Sequence, residues 1–364
     1  MKKHIQKFTI HEYKGIHDLE LDQLNAINIL TGDNNSGKTS ILELISTLSN
    51  PRSIREWMLC TRIRSMYLRD RQYFKAFYNM FPIDEDDRRI SYSVIDEKGI
   101  ETVVTVEGTL EDVQMSEKEM YRLNGLRTNS TEREEEIVDT MCLHLDIYIN
   151  DQKVSEENIY EVQNRFVWVN LRKTSYFVKT KYISPVDHAA NALELDSILA
   201  DKELYKEMIE ILQSFDDNII GVTALKSERD FFSVEYMILT QNHQKALPIT
   251  AYGDGMKKAL LLLSAVVNAK DGILLLDEFE TAIHTSAMDA VFSWLLKSAI
   301  RLNVQVFLTS HSEEAIQKVL RCSEELQKYI NLYTLYDFNG KNYVRMLGCQ
   351  EAINANDNLG LELR

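Results

Sequence analysis

Four short stretches of this 364-residue chain have the residue types and spacing that phosphate chemistry needs. The first is Gly32-Asp33-Asn34-Asn35-Ser36-Gly37-Lys38-Thr39. Gly32 and Gly37 let the loop wrap so that backbone N–H groups face phosphate oxygens at the positive end of a following helix. Asn34, Asn35, Ser36 and Ser40 complete that cradle. Lys38 adds a cation that reaches the β- and γ-phosphates, and the Thr39 hydroxyl is suited to ligate Mg²⁺. In the second stretch, Gly272-Ile273-Leu274-Leu275-Leu276-Asp277-Glu278, an apolar run ends in two acids. Asp277 is the second expected Mg²⁺ ligand, and Glu278 is placed to orient or deprotonate an attacking water. The third stretch is Thr309-Ser310-His311-Ser312, where His311 could contact a γ-phosphate and report its presence. A surface histidine is the ordinary alternative, and the strand-end placement shared with Asp277 favours the sensor. The fourth, Tyr252-Gly253-Asp254-Gly255, puts glycines before another apolar helix and forms a second anion site.

These residues need elements to hold them. Ala26–Leu30 reads as a buried strand entering the first glycine loop, and Ile41, Leu42, Ile45 and Leu48 recur at helical spacing after it. Strand, glycine loop and helix together are the context that the motif requires. Ile273–Leu276 is a continuous apolar run of the kind found in a doubly covered parallel strand, and Val304-Gln305-Val306-Phe307-Leu308 reads as a third buried strand. Both end in polar residues at the carboxyl side, where open α/β sheets bind ligands. One subunit does not need two phosphate cradles. The second glycine turn is therefore expected to close the nucleotide of another subunit.

Upstream, Phe8-Thr9-Ile10 and Leu19-Glu20-Leu21 alternate as a hairpin. Ile90–Ile95 and Glu101–Val106 form another around Lys98-Gly99. Leu145–Ile149 runs into an Asn150-Asp151 turn, and Leu193–Leu212 reads as helical. After His311, Ile330–Tyr336 and Tyr343–Met346 look like strands.

Composition narrows the class. With 45% hydrophobic and 27% charged residues the chain can bury a sizeable core and is not mainly disordered. No apolar run reaches the roughly 18 residues of a membrane-spanning helix, and Met1–Lys7 lacks a signal-like apolar segment. A cytoplasmic protein without a membrane partner is expected. Cys60, Cys142, Cys322 and Cys349 lie far apart with no zinc spacing and read as reduced thiols. The net charge of −15 argues against an indiscriminate nucleic-acid coat and leaves room for a local basic groove. The acidic runs Asp84–Asp87 and Glu132–Glu136 read as solvated faces.

In these motifs and their order the chain resembles the ABC-type ATPase heads of the chromosome-maintenance and RecF class. It is most similar to the OLD-like ATPases of bacterial anti-phage and abortive-infection systems. Gly32–Thr39 matches Walker A, with the Asn-Asn-Ser-Gly-Lys wording typical of that group. Gly253-Asp254-Gly255 matches a degenerate signature, Ile273–Glu278 Walker B, Glu280–His284 the D-loop region, and Thr309–Ser312 the switch. Tyr13-Lys14-Gly15-Ile16 resembles the family's N-terminal strand turn. The resemblance implies an α/β fold, an ABC-type P-loop ATPase head with a mixed central sheet, an antiparallel β subdomain and a helical insertion. It divides the chain into a head of residues 1–105 and 176–364 with a variable insertion at 106–175. It also implies ATP and Mg²⁺, and an ATP-sandwich homodimer or higher homo-oligomer.

The signature departs from the family's Ser-Gly-Gly. Asp254 would repel a γ-phosphate unless it caps the helix and points away. Gln72 is the nearest Q-loop candidate. OLD proteins proper carry a C-terminal Toprim nuclease, and no Asp-x-Asp follows a strand after His311. The resemblance then points to the stand-alone ATPases of the PARIS and AbiL/RloA type, which work with a separately encoded effector, often a Toprim-like nuclease. A RecF-like ATPase that binds DNA directly is the alternative.

Partner choice is expected to reside in the middle. Residues 52–78 combine Arg52, Arg55, Arg62, Arg64, Arg69 and Arg71 with Trp57, Tyr67, Tyr73, Phe74, Phe77 and Tyr78. Such a set can grip phosphates and stack on bases. It can equally be an amphipathic segment whose aromatics fill the core, or a protein interface.

Overall fold

A computed structural model describes residues 3–60, 73–82, 88–126, 137–164, 177–185, 187, 193–226, 234–283 and 285–363. The chain opens with β1 (Ile5–Tyr13), β2 (Ile16–Leu21), β3 (Ile27–Gly32) and α1 (Lys38–Thr47). Then follow α2 (Ile54–Cys60), α3 (Tyr73–Tyr78), β4 (Arg88–Asp96), β5 (Glu101–Ser116), α4 (Glu117–Leu123), β6 (Ile137–Ile149) and β7 (Gln152–Tyr160). The centre holds β8 (Thr180–Ile183), α5 (Asp196–Leu199), α6 (Lys202–Gln213), β9 (Ile219–Lys226), β10 (Val234–Thr240) and β11 (Leu247–Pro248). Last come α7 (Asp254–Asn268), β12 (Ile273–Leu276), α8 (Thr285–Arg301), β13 (Gln305–Thr309), α9 (Glu313–Leu320), α10 (Glu324–Gln327), β14 (Ile330–Phe338), β15 (Lys341–Gly348) and α11 (Cys349–Leu359).

A mixed sheet in the order β15-β14-β3-β13-β12-β8 carries the chemistry. Its five strands from β14 to β8 run parallel, and β15 closes one edge antiparallel. Both faces are covered, which is why β12 is apolar throughout and β3 and β13 are buried along their whole length. Along these strands side chains alternate between two cores. Ile27, Ile29, Leu274, Leu276, Val306 and Leu308 face one core, shared with α7, α8 and α9. Leu30, Ile273, Leu275 and Phe307 face the other, shared with α1 and the antiparallel sheet. That second sheet has the order β2-β1-β4-β5-β6-β7. α1 therefore contributes to the core between two sheets, and its N-terminus stands at the carboxyl end of β3.

Both expected hairpins form: Phe8 faces Leu21 across β1–β2, and β4 pairs with β5. The β6–β7 turn is made by Asn150 and Asp151, both with positive φ, 49° and 62°. That is the backbone that matches the twist of a two-residue hairpin. The expected helix over Leu193–Leu212 divides into α5 and α6, because Asp201 accepts from the N–H groups of Glu203 and Leu204 and starts a new helix.

β5 runs without a break from Glu101 to Ser116 and pairs with β6 along thirteen registered positions, so residues 106–116 and 137–160 continue the antiparallel sheet. Between β5 and β6 lies the short α4, capped by the reciprocal bonds of Ser116 and Glu119. Of the arginine and aromatic segment, Trp57, Tyr73, Phe74 and Phe77 are buried in the core around α1 and are not available to stack on bases. Arg62, Arg64, Tyr67, Arg69, Arg71 and Gln72 lie outside the described residues, as do Asp84–Asp87 and Glu132–Glu136.

Candidate nucleotide site

The first glycine loop is shaped by its neighbours. Gly32 has φ 131°, and a Cβ there would lie 2.1 Å from the Leu335 carbonyl oxygen of β14. Gly37 has φ 94°, and its Cβ would meet Ile16 Cδ1 at 2.6 Å. No other residue fits either position. α1 starts at Lys38 with no side-chain cap and no acidic residue in its first turn. A helix N-terminus of that kind favours an anion.

Lys38 is buried, and its Nζ donates to the carbonyls of Gly32 and Asp33, both at 2.7 Å. Burial pushes its pKa below the ordinary lysine value, while Asp33, Asp277 and Glu278 pull it the other way.

Asp277 follows β12 and is only 2% exposed. Hydroxyls from three elements converge on its carboxylate. Thr39 Oγ1 of α1 lies 3.2 Å from both oxygens, Tyr182 OH of β8 donates to Oδ2 at 2.9 Å, and Thr309 Oγ1 of β13 donates to Oδ1 at 2.7 Å. Thr39 and Asp277 together form an all-oxygen set of the kind a hard cation such as Mg²⁺ takes. Glu278 has φ 45°, an unusual backbone for a residue with a Cβ. Its N–H donates to Thr309 Oγ1 at 2.8 Å, which holds it there. Thr309 thus fixes both acids.

The switch is tied to the same strand end. Glu280 Oε1 accepts from Ser310 Oγ at 2.7 Å and from the His311 N–H at 3.2 Å. His311 lines a cavity of about 820 Å³ together with Asn34, Asn35, Ser36, Gly37, Lys38, Thr39 and Ser40. Lys14, Gly15, Ile16, Glu43 and Asn342 complete its wall. Glu43 accepts from Lys14 Nζ at 2.6 Å and from Tyr13 OH at 3.0 Å, an anchor for the strand turn that overhangs the loop. A polar cavity of this size suits a small ligand.

Gly32, Asp277 and Glu278 are not among the lining residues, because Asp277 is held beneath Thr39. Gly253, Asp254 and Gly255 are not among them either. They start α7 elsewhere on the head. Gly253 is the N-cap, and Asp254 is the first helical residue instead of the cap. The Asp254 carboxylate is exposed and pairs with Lys257 at 3.1 Å. The sequence assigns no role to Tyr182, Glu43 or Asn342, and none of these contacts to Thr309, Glu280 or Lys14. Thr309 had a signal as a hydroxyl at the end of a buried strand, Lys14 through the strand turn and Glu280 through the D-loop region. Of the D-loop region, His284 lies outside the described residues.

With that geometry in place, the comparisons are specific. Residues 27–316 match the family described as "AAA domain, putative AbiEii toxin, Type IV TA system". The chain is 24% identical over 348 residues to an ATP/GTP phosphatase of Helicobacter pylori, covering 86% of each. A stretch of 52 residues, 14% of each chain, is 40% identical to the DNA replication and repair protein RecF of Xanthomonas euvesicatoria. The architecture also aligns with a crystal structure of an Smc head bound to the C-winged helix domain of ScpA. The TM-score is 0.50 at 11% identity, over 97% of this chain and all of that one. That likeness is one of fold, an ABC-type ATPase head.

Proposed function

The chain belongs to the AAA family whose model spans its residues 27–316, and on that premise we propose that it hydrolyses ATP and closes around it with a second copy of itself. The reading rests above all on one observation: Thr39, Tyr182 and Thr309 converge on Asp277 beneath the phosphate loop, with Glu278 beside it. Gly32–Thr39 bind the phosphates through backbone N–H groups, and Lys38 exchanges its loop carbonyls for phosphate oxygens. Thr39 and Asp277 would hold Mg²⁺, which supplies charge neutralisation when bound. Glu278 orients the attacking water and accepts its proton as the bond to the γ-phosphorus forms. His311 reads the γ-phosphate from the cavity wall.

A homodimer or higher homo-oligomer follows from the place of Gly253–Gly255. Outside the cavity of their own chain, they are available to cover the nucleotide of another. The closed assembly acts in the cytoplasm as a sensor and scaffold for a separately encoded effector, a nuclease or toxin and by resemblance Toprim-like, in anti-phage defence. The toxin–antitoxin description of the family and the OLD-like motif order support this assignment. Among the described residues no helix is long and apolar enough to cross a membrane. A RecF-like activity on DNA is the second reading, favoured by the 52-residue match. Phosphate release from ATP with and without Mg²⁺ tests the enzyme. Co-purification with the products of flanking genes, with and without ATP, tests the scaffold. A neighbouring effector retained only with ATP supports it. Stimulation by DNA with no protein partner supports the RecF-like reading instead.

A further inference from the structure

Two buried atoms beside the hydrolytic carboxylates have no hydrogen-bond partner among the described residues, Lys258 Nζ and Glu280 Oε2. Lys258 is fully buried and stands one turn inside the glycine start of α7. The charges that act on it are Asp187, Glu280, Asp277 and Glu278, all acidic. Burial pushes its pKa down, and these carboxylates oppose that shift. An ammonium buried without a partner is strongly unfavourable, so the arrangement persists only where something else over-determines it.

Glu280 is half engaged. Its Oε1 holds the switch through Ser310 and the His311 N–H, and its Oε2 is open. One element therefore offers a free buried cation and the other a free buried carboxylate oxygen. The first belongs to the helix that starts at Gly253, the second to the loop that holds His311.

We propose that Lys258 and Glu280 form a latch between the glycine turn of α7 and the His311 switch of the same chain. When the nucleotide of a second copy draws Gly253–Gly255 into place, α7 moves as one rigid helix. Lys258 then pairs with the open Glu280 oxygen, and Ser310–His311 are fixed at the cavity of their own chain. The two are positioning residues and touch no nucleotide. Through them each cavity registers whether the other is filled. This inference rests on the ATP-closed assembly proposed above.

Attraction between opposite charges is strong in a low-dielectric interior, and removing one partner strands the other. The test compares the unaltered chain with Lys258→Met, Glu280→Gln, the double variant and Lys258→Arg. Hydrogen exchange of 253–258 and 309–312 is followed with and without a non-hydrolysable ATP analogue. Binding of a fluorescent ATP analogue and particle mass are measured in the same samples. Binding should stay within about threefold throughout. In the unaltered chain both segments should gain protection together, whereas each charge-removing variant should lose protection at 309–312. Lys258→Arg should restore it. Turnover should fall about tenfold in either single variant, with KM within about threefold, and the double should be no worse than the worse single. The isosteric Glu280→Gln carries the test if Lys258→Met does not fold. Joint protection surviving in Glu280→Gln, or losses that multiply in the double, would overturn the latch alone. Absence of nucleotide binding in the unaltered chain would overturn the functional reading and the latch with it.

Discussion

The phosphate loop and the start of α7 are both glycine-bearing helix N-termini, and they are built in opposite ways. In the loop, Gly32 and Gly37 have positive φ and are hemmed in by Leu335 and Ile16. Lys38 is held by two carbonyls, and Thr39 joins a network that reaches Asp277, Tyr182 and Thr309. At α7, Gly253 has ordinary extended backbone, with φ −65° and ψ 160°, and nothing lies within 4 Å of a Cβ built there. Its neighbour Asp254 is exposed and pairs with Lys257. The chain's own fold requires the first pair of glycines. Gly253 is under no such constraint, and the turn is open to a second copy in the assembly proposed above. That contrast is what a site split between two copies would produce.

Substitution of the glycines breaks the comparison most sharply. Gly32→Ala places a methyl group against a backbone carbonyl in a forbidden conformation and should cost about 3 kcal/mol or more, read as a fall in urea midpoint. Gly253→Ala should change stability by about 1 kcal/mol or less. Equal losses at the two positions would end the distinction. Next in size is Glu278→Gln, expected to lower kcat by a factor of about 100 or more while nucleotide binding persists, because a general base contributes on that scale. Normal turnover in that variant would mean that another group takes the proton. Lys38→Ala should weaken nucleotide binding about 100-fold through the loss of charge-assisted bonds, as measured by titration with a fluorescent ATP analogue. Gly253→Arg should leave the same titration within about threefold. The smallest effect is expected at Thr309→Val, which removes the bonds to Asp277 and to the Glu278 N–H. Turnover should drop about tenfold with little change in binding. An unchanged rate would show that the two acids hold their places without it.

Much of this site was legible in the sequence, and for physical reasons. The glycine loop sits between a buried, mostly apolar strand and a helix of period 3.6, so motif and period agree at β3 and α1. Asp277-Glu278 and Thr309–Ser312 were visible because both end doubly covered strands, whose apolar runs stop abruptly. What stayed hidden depends on strand order. β8 is only Thr180–Ile183, too short for any pattern, and Tyr182 reaches Asp277 only because β8 pairs with β12. Glu280 meets Ser310 only because β12 and β13 are neighbours in the sheet. The long β5 was read short because its outer half alternates poorly, with exposed residues on both faces beyond Val106. Lys258 stands beside Lys257 at the start of the same apolar helix. Nothing local distinguishes the two lysines, and only the packing of α7 buries one of them.

The central claim is that nucleotide and glycine turn meet across two copies of the chain. Particle mass in dilute solution tests it most directly, measured for the Glu278→Gln variant and for Glu278→Gln combined with Gly253→Arg, with and without ATP and Mg²⁺. The account predicts that Glu278→Gln doubles in mass, or rises further, only when ATP is present. The combined variant should bind ATP equally well and remain single. Assembly of both variants with ATP, or of neither, would contradict it.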